Sequence, residues 1–204
     1  MRIITDWRNG GFSYEEGIRI FDGSLSAAGR GALAEQVDQN DTLVIYFSCT
    51  GTTRGVAEKL ANVTGADLYE IVPAVPYTEE DLNYNDRSTR ATSEQDHPET
   101  RPEIGGEDVD LTGYSTVYIG YPNWWASIPM PIASFLEQYD FSGKRIVPFC
   151  SHGGGRFGQS LTAIAKLAPE SNMGQGLSVH YSGGSTLSGD VAAWLEANHL
   201  KPEA

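Results

Sequence analysis

Five short apolar runs recur along the chain, each bounded by turn residues. The first, TLVIYFS at 42–48, is continuous and rich in β-branched and aromatic residues. Such a run suits a strand buried on both faces, as in a parallel sheet. DLYEIVP at 67–73 (apolar at Leu68, Ile71 and Val72), TVYIGYP at 116–122, RIVPFCS at 145–151 and LSVHYS at 177–182 are the other predicted strands. Pro148 is the exception within them, because proline cannot donate to a ladder. Helical spacing fills the gaps. Val56, Leu60 and Val63 form a stripe over 53–63, with Arg54, Glu58 and Lys59 off it. Ile132, Phe135, Leu136 and Tyr139 do the same over 129–139, with Pro129 and Pro131 in the first turn, where proline is tolerated. A helix over 157–168 carries Leu161, Ile164, Ala165 and Leu167. The last helix is expected to start at Ser188, as N-cap, ahead of Val191, Trp194 and Leu195.

Two regions lack this periodicity. Residues 74–113 are a long polar excursion; its 77–104 stretch holds eight acidic residues and three Arg, a net of −5, and a short helix is expected near 78–84. Residues 1–41 are punctuated by Gly10-Gly11, Gly17, Gly23 and Gly29, and only GIRIFDG reads as a strand. They form an N-terminal extension, an arm or a hairpin, ahead of a domain at 42–204. The order β-α-β-excursion-β-α-β-α-β-α implies a parallel sheet with helices on both faces.

Composition narrows the function classes. The chain has 204 residues, 40% of them hydrophobic, and a formal charge of −13. That length buries roughly 70% of the unfolded surface without a disulfide or metal staple. Strong acidity disfavours nucleic-acid backbones and anionic membrane surfaces and leaves basic protein partners open. Cys49 and Cys150 are too few for a disulfide framework, close different strands and read as small packing residues. No segment approaches the roughly 20 apolar residues of a membrane span, and the N-terminus has no apolar leader core. The expected location is the cytoplasm.

Ligands of open α/β sheets sit beyond the carboxyl ends of the strands, and three such ends carry unusual residues. SCTGTTRG at 48–55 offers the hydroxyls of Ser48, Thr50, Thr52 and Thr53, a tight turn at Gly51, and then a helix N-terminus. This is a pocket for one phosphate held by neutral donors; the alternative is a set of caps that only stabilises the helix. It has no P-loop lysine and no G-x-G-x-x-G. YPNWWASIPMP at 121–131 places two adjacent Trp at a strand end: either both pack as core or dimer contacts, or one packs inward and the other lies against a planar ligand. CSHGGGRFG at 150–158 removes three successive side chains, so the backbone can approach a flat ring, with Ser151 and His152 at its polar edge. One ligand accounts for all three: a phosphate at one end, a large planar heterocycle at the other. Flavin mononucleotide (FMN) has that form.

These loops resemble those of the flavodoxin family. SCTGTT is similar to its S/T-x-T-G-x-T phosphate loop, and GYPNWW and SHGGG sit where that family places its two isoalloxazine-binding loops. YTEEDLNYNDRSTRATSEQ and GYPNWW look most like a bacterial subgroup of short flavodoxin-like proteins. The resemblance implies a doubly wound three-layer α/β sandwich, a five-stranded parallel sheet of order 2-1-3-4-5, non-covalent FMN and electron transfer. It assigns Ser48, Cys49, Thr50, Gly51, Thr52 and Thr53 to the phosphate loop. Pro122, Asn123, Trp124, Trp125 and Ala126 line one side of the ring, and Ser151, His152, Gly153 and Gly154 the other. Many members carry a Gly in the first ring loop, whose peptide turns to accept a bond from the reduced ring; this loop reads Asn-Trp-Trp-Ala, so that bond is not implied here.

The implied function is an FMN-binding electron carrier, with acidic groups that lower the flavin potential and steer basic redox partners. Two alternatives use the same loops. One is an FMN-dependent NAD(P)H quinone or flavin reductase, in which the excursion and the Trp pair shape a substrate site; Tyr84, Arg87 and Arg90 of the excursion either cover the flavin or a substrate or belong to a solvated loop. The other is a non-redox module for a phosphorylated ligand.

Overall fold

The computed structural model describes residues 41–200. The expected extension at 1–41, with its strand-like GIRIFDG, lies outside the described residues apart from Asp41.

The first strand, β1 (Thr42–Tyr46), alternates strictly: Leu43 and Ile45 face one apolar cluster, Val44 and Tyr46 the other. A strand with both faces apolar needs cover on both, and the chain supplies it. Helix α1 (Thr52–Thr64) buries Val56, Ala57, Leu60 and Ala61 against one face and ends on Gly65 at φ 65°, a left-handed C-cap suited to glycine. The strand expected at 67–73 divides into β2 (Asp67–Glu70) and β3 (Val72–Pro73). The break at Ile71 arises because β3 leaves the main sheet and pairs antiparallel with β4 (Ile104–Gly105), closing the base of the excursion.

Within the excursion the expected helix near 78–84 is absent. Residues 79–82 form turns, nucleated by Asp81, whose carboxylate accepts from both the N–H and the hydroxyl of Thr78. Such local side-chain bonds compete with helix formation. The helix lies later instead, as α2 (Arg90–Asp96), capped by Thr89, whose hydroxyl accepts from the Thr92 N–H.

Beyond the excursion, β5 (Thr116–Pro122), α3 (Met130–Gln138), β6 (Arg145–His152) and α4 (Ser160–Leu167) follow the expected order. The last strand position is shared by β7 (Asn172–Met173) and β8 (Leu177–His180), both parallel to β6. The sheet order is therefore β2-β1-β5-β6 with β7 and β8 at the edge, five positions in the order 2-1-3-4-5. Helices α1 and α5 (Leu187–Ala197) cover one face and α3 and α4 the other, a three-layer doubly wound sandwich.

The interruption at 174–176 explains two details. The Gly174 N–H bonds the Ile146 carbonyl, so even-numbered residues of β6 point their backbone groups toward this edge. Pro148 thus lacks its N–H opposite the gap, where no ladder partner is lost. Side chains take over the gap's own bonds: Asn198 Oδ1 accepts from the Gln175 N–H at 2.8 Å and its Nδ2 donates to the Gln175 carbonyl at 3.1 Å. Trp194 Nε1 donates to the same carbonyl at 2.6 Å. Helix α5 starts after a 3₁₀ turn at Gly184–Thr186, with Thr186 rather than Ser188 at the N-cap position; Ser188 is already inside the first turn.

Gly120 of β5 lies one residue before the Tyr-Pro that leads into the Trp loop, and a Cβ there would come within 2.1 Å of the Phe149 ring. Gly120→Ala should therefore cost roughly 1–3 kcal/mol of unfolding free energy by overpacking. Urea unfolding measures it, and Phe149→Leu in the same chain should recover part of the loss; unchanged stability in the single variant contradicts this packing.

Candidate functional site

The carboxyl ends of β1, β5 and β6 open onto one cavity of about 430 Å³, within the range of small-molecule sites. The β1 end leads into it through Ser48–Thr53. Gly51 holds φ 83°, a left-handed turn open to glycine at no steric cost, and its carbonyl accepts the first helical bond, from the Gly55 N–H at 3.0 Å. The N–H groups of Thr52, Thr53 and Arg54 precede that bond and have no helical acceptor. Among the described residues no side chain caps this terminus. The hydroxyls have therefore not been spent on capping, and the donors and dipole of α1 are left to an external anion.

The Thr50 and Thr52 hydroxyls lie 3.4 Å apart. Thr53 and Ser151 share a buried hydrogen bond of 2.7 Å across two loops. Whichever hydroxyl accepts keeps its own proton, so the pair still offers one donor. Arg54 is turned to Glu70, at 2.6 Å. Cys49 lines the cavity, and desolvation by its surroundings pushes its thiol up to about 12, so it adds no negative charge beside the anion site. Cys150 is buried, and burial likewise pushes its thiol up to about 12; both cysteines are free.

The β5 end carries the Trp pair, and the two side chains have different tasks. Trp124 is half-buried, with edge-on contacts to Phe47 at 5.5 Å and Tyr77 at 5.2 Å. Trp125 is 38% exposed and faces the cavity, with Tyr84 edge-on at 6.3 Å. The separation is produced by the backbone. Trp125 at φ 47° and Ala126 at φ 60° are consecutive left-handed residues, and Trp124 and Ser127 bond each other in both directions across them. This is the backbone of a tight hairpin turn that usually takes Asn or Gly. Here neither central residue is glycine, at a cost of roughly 1–2 kcal/mol each.

The β6 end holds that strained turn in place. The Asn123 N–H donates to the Ser151 carbonyl at 2.8 Å, the Asn123 amide donates to the Arg156 carbonyl, and the Gln159 N–H donates to the Ala126 carbonyl at 2.6 Å. Gly158, at φ 52°, permits the approach, since a Cβ there would meet the Ala126 carbonyl oxygen at 2.2 Å. Its role was not legible in the sequence; the only signal was a fourth Gly after Arg-Phe. His152 accepts the Gly154 N–H on Nδ1 at 3.0 Å. Burial, then the nearby His180 and Arg156, hold its imidazole below the usual range, so at neutral pH it is uncharged with the proton on Nε2.

The cavity is lined by Ser48, Cys49, Thr50, Thr52, Thr53, Pro122, Asn123, Trp124, Trp125 and Ser151 of the residues expected from the sequence. Gly51, Ala126, His152, Gly153 and Gly154 belong to the same loops but do not line it. The excursion adds Leu82, which sequence reasoning missed, and Tyr84. Arg87 does not line it, and Arg90 sits over the Tyr77 ring, behind Trp124. The donor set fits FMN: an uncapped helix start at one end, an exposed indole at another, and the Ser151 hydroxyl of the third loop between them and the core. Among the described residues no cluster suited to a metal ion occurs, and no helix is long and apolar enough to cross a membrane.

Comparison with known proteins agrees with this geometry. The family described as Flavodoxin, which binds FMN, matches residues 41–198. No protein with a curated description matches the chain. A crystal structure of a protein described as a flavoprotein from Bacteroides eggerthii DSM 20697 is 39% identical, covers 78% of this chain and 98% of its own, and superposes with a TM-score of 0.72. Another, from Bacteroides uniformis ATCC 8492, is 34% identical over 76% of this chain and 97% of its own, with a TM-score of 0.70. A flavoprotein from Lactobacillus acidophilus NCFM, solved in complex with FMN, is 22% identical and shares the fold over 75% of this chain and 97% of its own, at a TM-score of 0.58. From the matched sequence and the shared architecture together, the chain belongs to the flavodoxin family.

Proposed function

We propose that this protein is an FMN-binding electron carrier of the cytoplasm. The observation that carries the reading is the convergence of three strand ends on one cavity, with unspent helix donors on one side and an exposed indole on another. Bound FMN supplies reversible electron transfer. The chain's own residues do the rest. The N–H groups at the start of α1 and the hydroxyls of Ser48, Thr50 and Thr52 hold the phosphate, and the Thr53–Ser151 pair closes the loop beneath it. Trp125 lies against the ring, supported by Trp124. The 151–154 loop follows the ring's other side, with His152 neutral and bonded to its own loop. The formal charge of −13 favours a redox partner with a basic docking surface.

One observation favours the reductase alternative: Leu82 and Tyr84 add a wall to the cavity that the three loops do not need. Rapid reduction of the flavin by NADH or NADPH, without a partner reductase, decides for it.

Thr50→Val removes one phosphate donor and should weaken FMN binding by roughly 1–3 kcal/mol, read by quenching of flavin fluorescence. Unchanged affinity removes Thr50 from the site. The two indoles should separate by phenotype. Trp125→Ala should weaken FMN by about 1–3 kcal/mol through lost stacking and alter the flavin's visible absorbance bands, with folding stability little changed. Trp124→Ala should lower folding stability by about 3 kcal/mol and weaken FMN as well, because Trp124 supports the turn that presents Trp125. The reverse pattern in binding and urea-melt data contradicts the assignment.

A further inference from the structure

The excursion holds a bonded side-chain cluster behind the cavity's aromatic wall. Glu94 of α2 is 7% exposed. Its carboxylate accepts from the Tyr77 hydroxyl at 2.5 Å and from Arg90 Nε at 2.8 Å. The Arg90 guanidinium lies 4.0 Å above the Tyr77 ring and donates to the Val75 carbonyl at 2.8 Å. Burial, then the bond to Glu94, push the Tyr77 phenol well above its ordinary range, so it remains a donor throughout the working pH range. Glu94 is the buried member, while Arg90 and Tyr77 are half-buried, so removing Glu94 leaves both donors without their shared acceptor.

The cluster's outward contacts reach both variable walls of the cavity. Tyr77 packs edge-on against Trp124 at 5.2 Å and Phe47 at 5.9 Å. Next to Glu94, Gln95 Nε2 donates to the Ile128 carbonyl at 3.0 Å, just after the strained turn. On the other side the Ala91 N–H bonds the Asp81 carbonyl at 3.2 Å and the Thr92 hydroxyl bonds the Asp86 carbonyl at 3.2 Å, which brackets the segment bearing Leu82 and Tyr84.

We infer that the Tyr77–Arg90–Glu94 cluster positions the cavity's aromatic wall, with Glu94 as the positioning residue that fixes Trp124 through Tyr77. The inference rests on reading the cavity as the FMN site. Trp124 anchors the turn that presents Trp125, so a loosened Tyr77 is transmitted to the ring-binding face without any contact between Glu94 and the ligand. The excursion is then a brace for the site as well as a cover over it.

The test uses the full chain and three variants. Near-ultraviolet circular dichroism of the FMN-free protein reads the aromatic cluster, and flavin fluorescence quenching reads FMN affinity. Glu94→Ala should keep the far-ultraviolet spectrum, lose near-ultraviolet bands and bind FMN about tenfold or more weakly. Glu94→Gln should restore most of both signals. Its amide oxygen can accept from Arg90, and its nitrogen can donate to the Tyr77 hydroxyl. A folded Glu94→Ala with wild-type dichroism and affinity overturns the inference, as does a Gln variant no better than the Ala variant. If Glu94→Ala does not fold, Tyr77→Phe keeps the ring and removes only its bond to Glu94. It should then bind FMN several-fold more weakly with altered near-ultraviolet bands, and wild-type behaviour there overturns the inference. If the unaltered protein takes up no FMN, the proposed function fails, and the dichroism of the three variants judges the cluster by itself.

Discussion

The site depends on a helix start left without a side-chain cap. A helix leaves its first N–H groups without partners, and proteins usually satisfy them with a Ser, Thr, Asp or Asn at the N-cap. Here four hydroxyl residues surround the start of α1, yet Gly51 occupies the cap position in a left-handed turn and none of the hydroxyls accepts from a backbone N–H of the helix start. Donors of this kind, at the carboxyl edge of a parallel sheet, have a physical reason to exist when an anion completes them. The neighbouring groups agree: Arg54 is committed to Glu70 and the Cys49 thiol is kept neutral, so what this end of the cavity offers an anion is uncharged donors and the helix dipole.

The remaining loops are arranged around that point by backbone devices more than by side-chain chemistry. The left-handed pair Trp125 and Ala126 turns one indole outward and leaves the other against Phe47 and Tyr77. Strain of this kind persists only where the surroundings over-determine it. The surroundings here are the third loop, through the Gln159–Ala126 bond and the close approach at Gly158, and the excursion, through Gln95 and Tyr77. The family's glycine is missing from this loop, but a left-handed backbone is present without it.

Much of this was legible in the sequence because burial on both faces leaves continuous apolar runs. Thr42–Tyr46, Thr116–Pro122 and Arg145–His152 sit within a residue or two of the predicted strands. What failed to show were features set by contacts between segments distant in sequence. The β7–β8 gap depends on Asn198 and Trp194 reaching back to Gln175. Helix α2 carries a polar sequence with no apolar stripe, and what holds it is the Thr89 cap, the buried Ala91 and Glu94 meeting Tyr77 and Arg90. The Thr78–Asp81 turn displaced the helix expected near 78–84 through a bond pattern that periodicity does not register. In the site, the hydroxyl loop, the Trp pair and the glycine run were recognisable as types. The division of labour between Trp124 and Trp125, and the part played by Leu82, came only with the backbone.

The account rests most directly on the phosphate, and riboflavin is FMN without it. Titration of the protein with each flavin, at matched ionic strength, isolates that group. The account predicts that FMN binds at least about a hundredfold more tightly than riboflavin, a difference of about 2.7 kcal/mol, and that inorganic phosphate competes with FMN. Equal affinity for the two flavins would contradict it, because the uncapped start of α1 would then contribute nothing to the ligand.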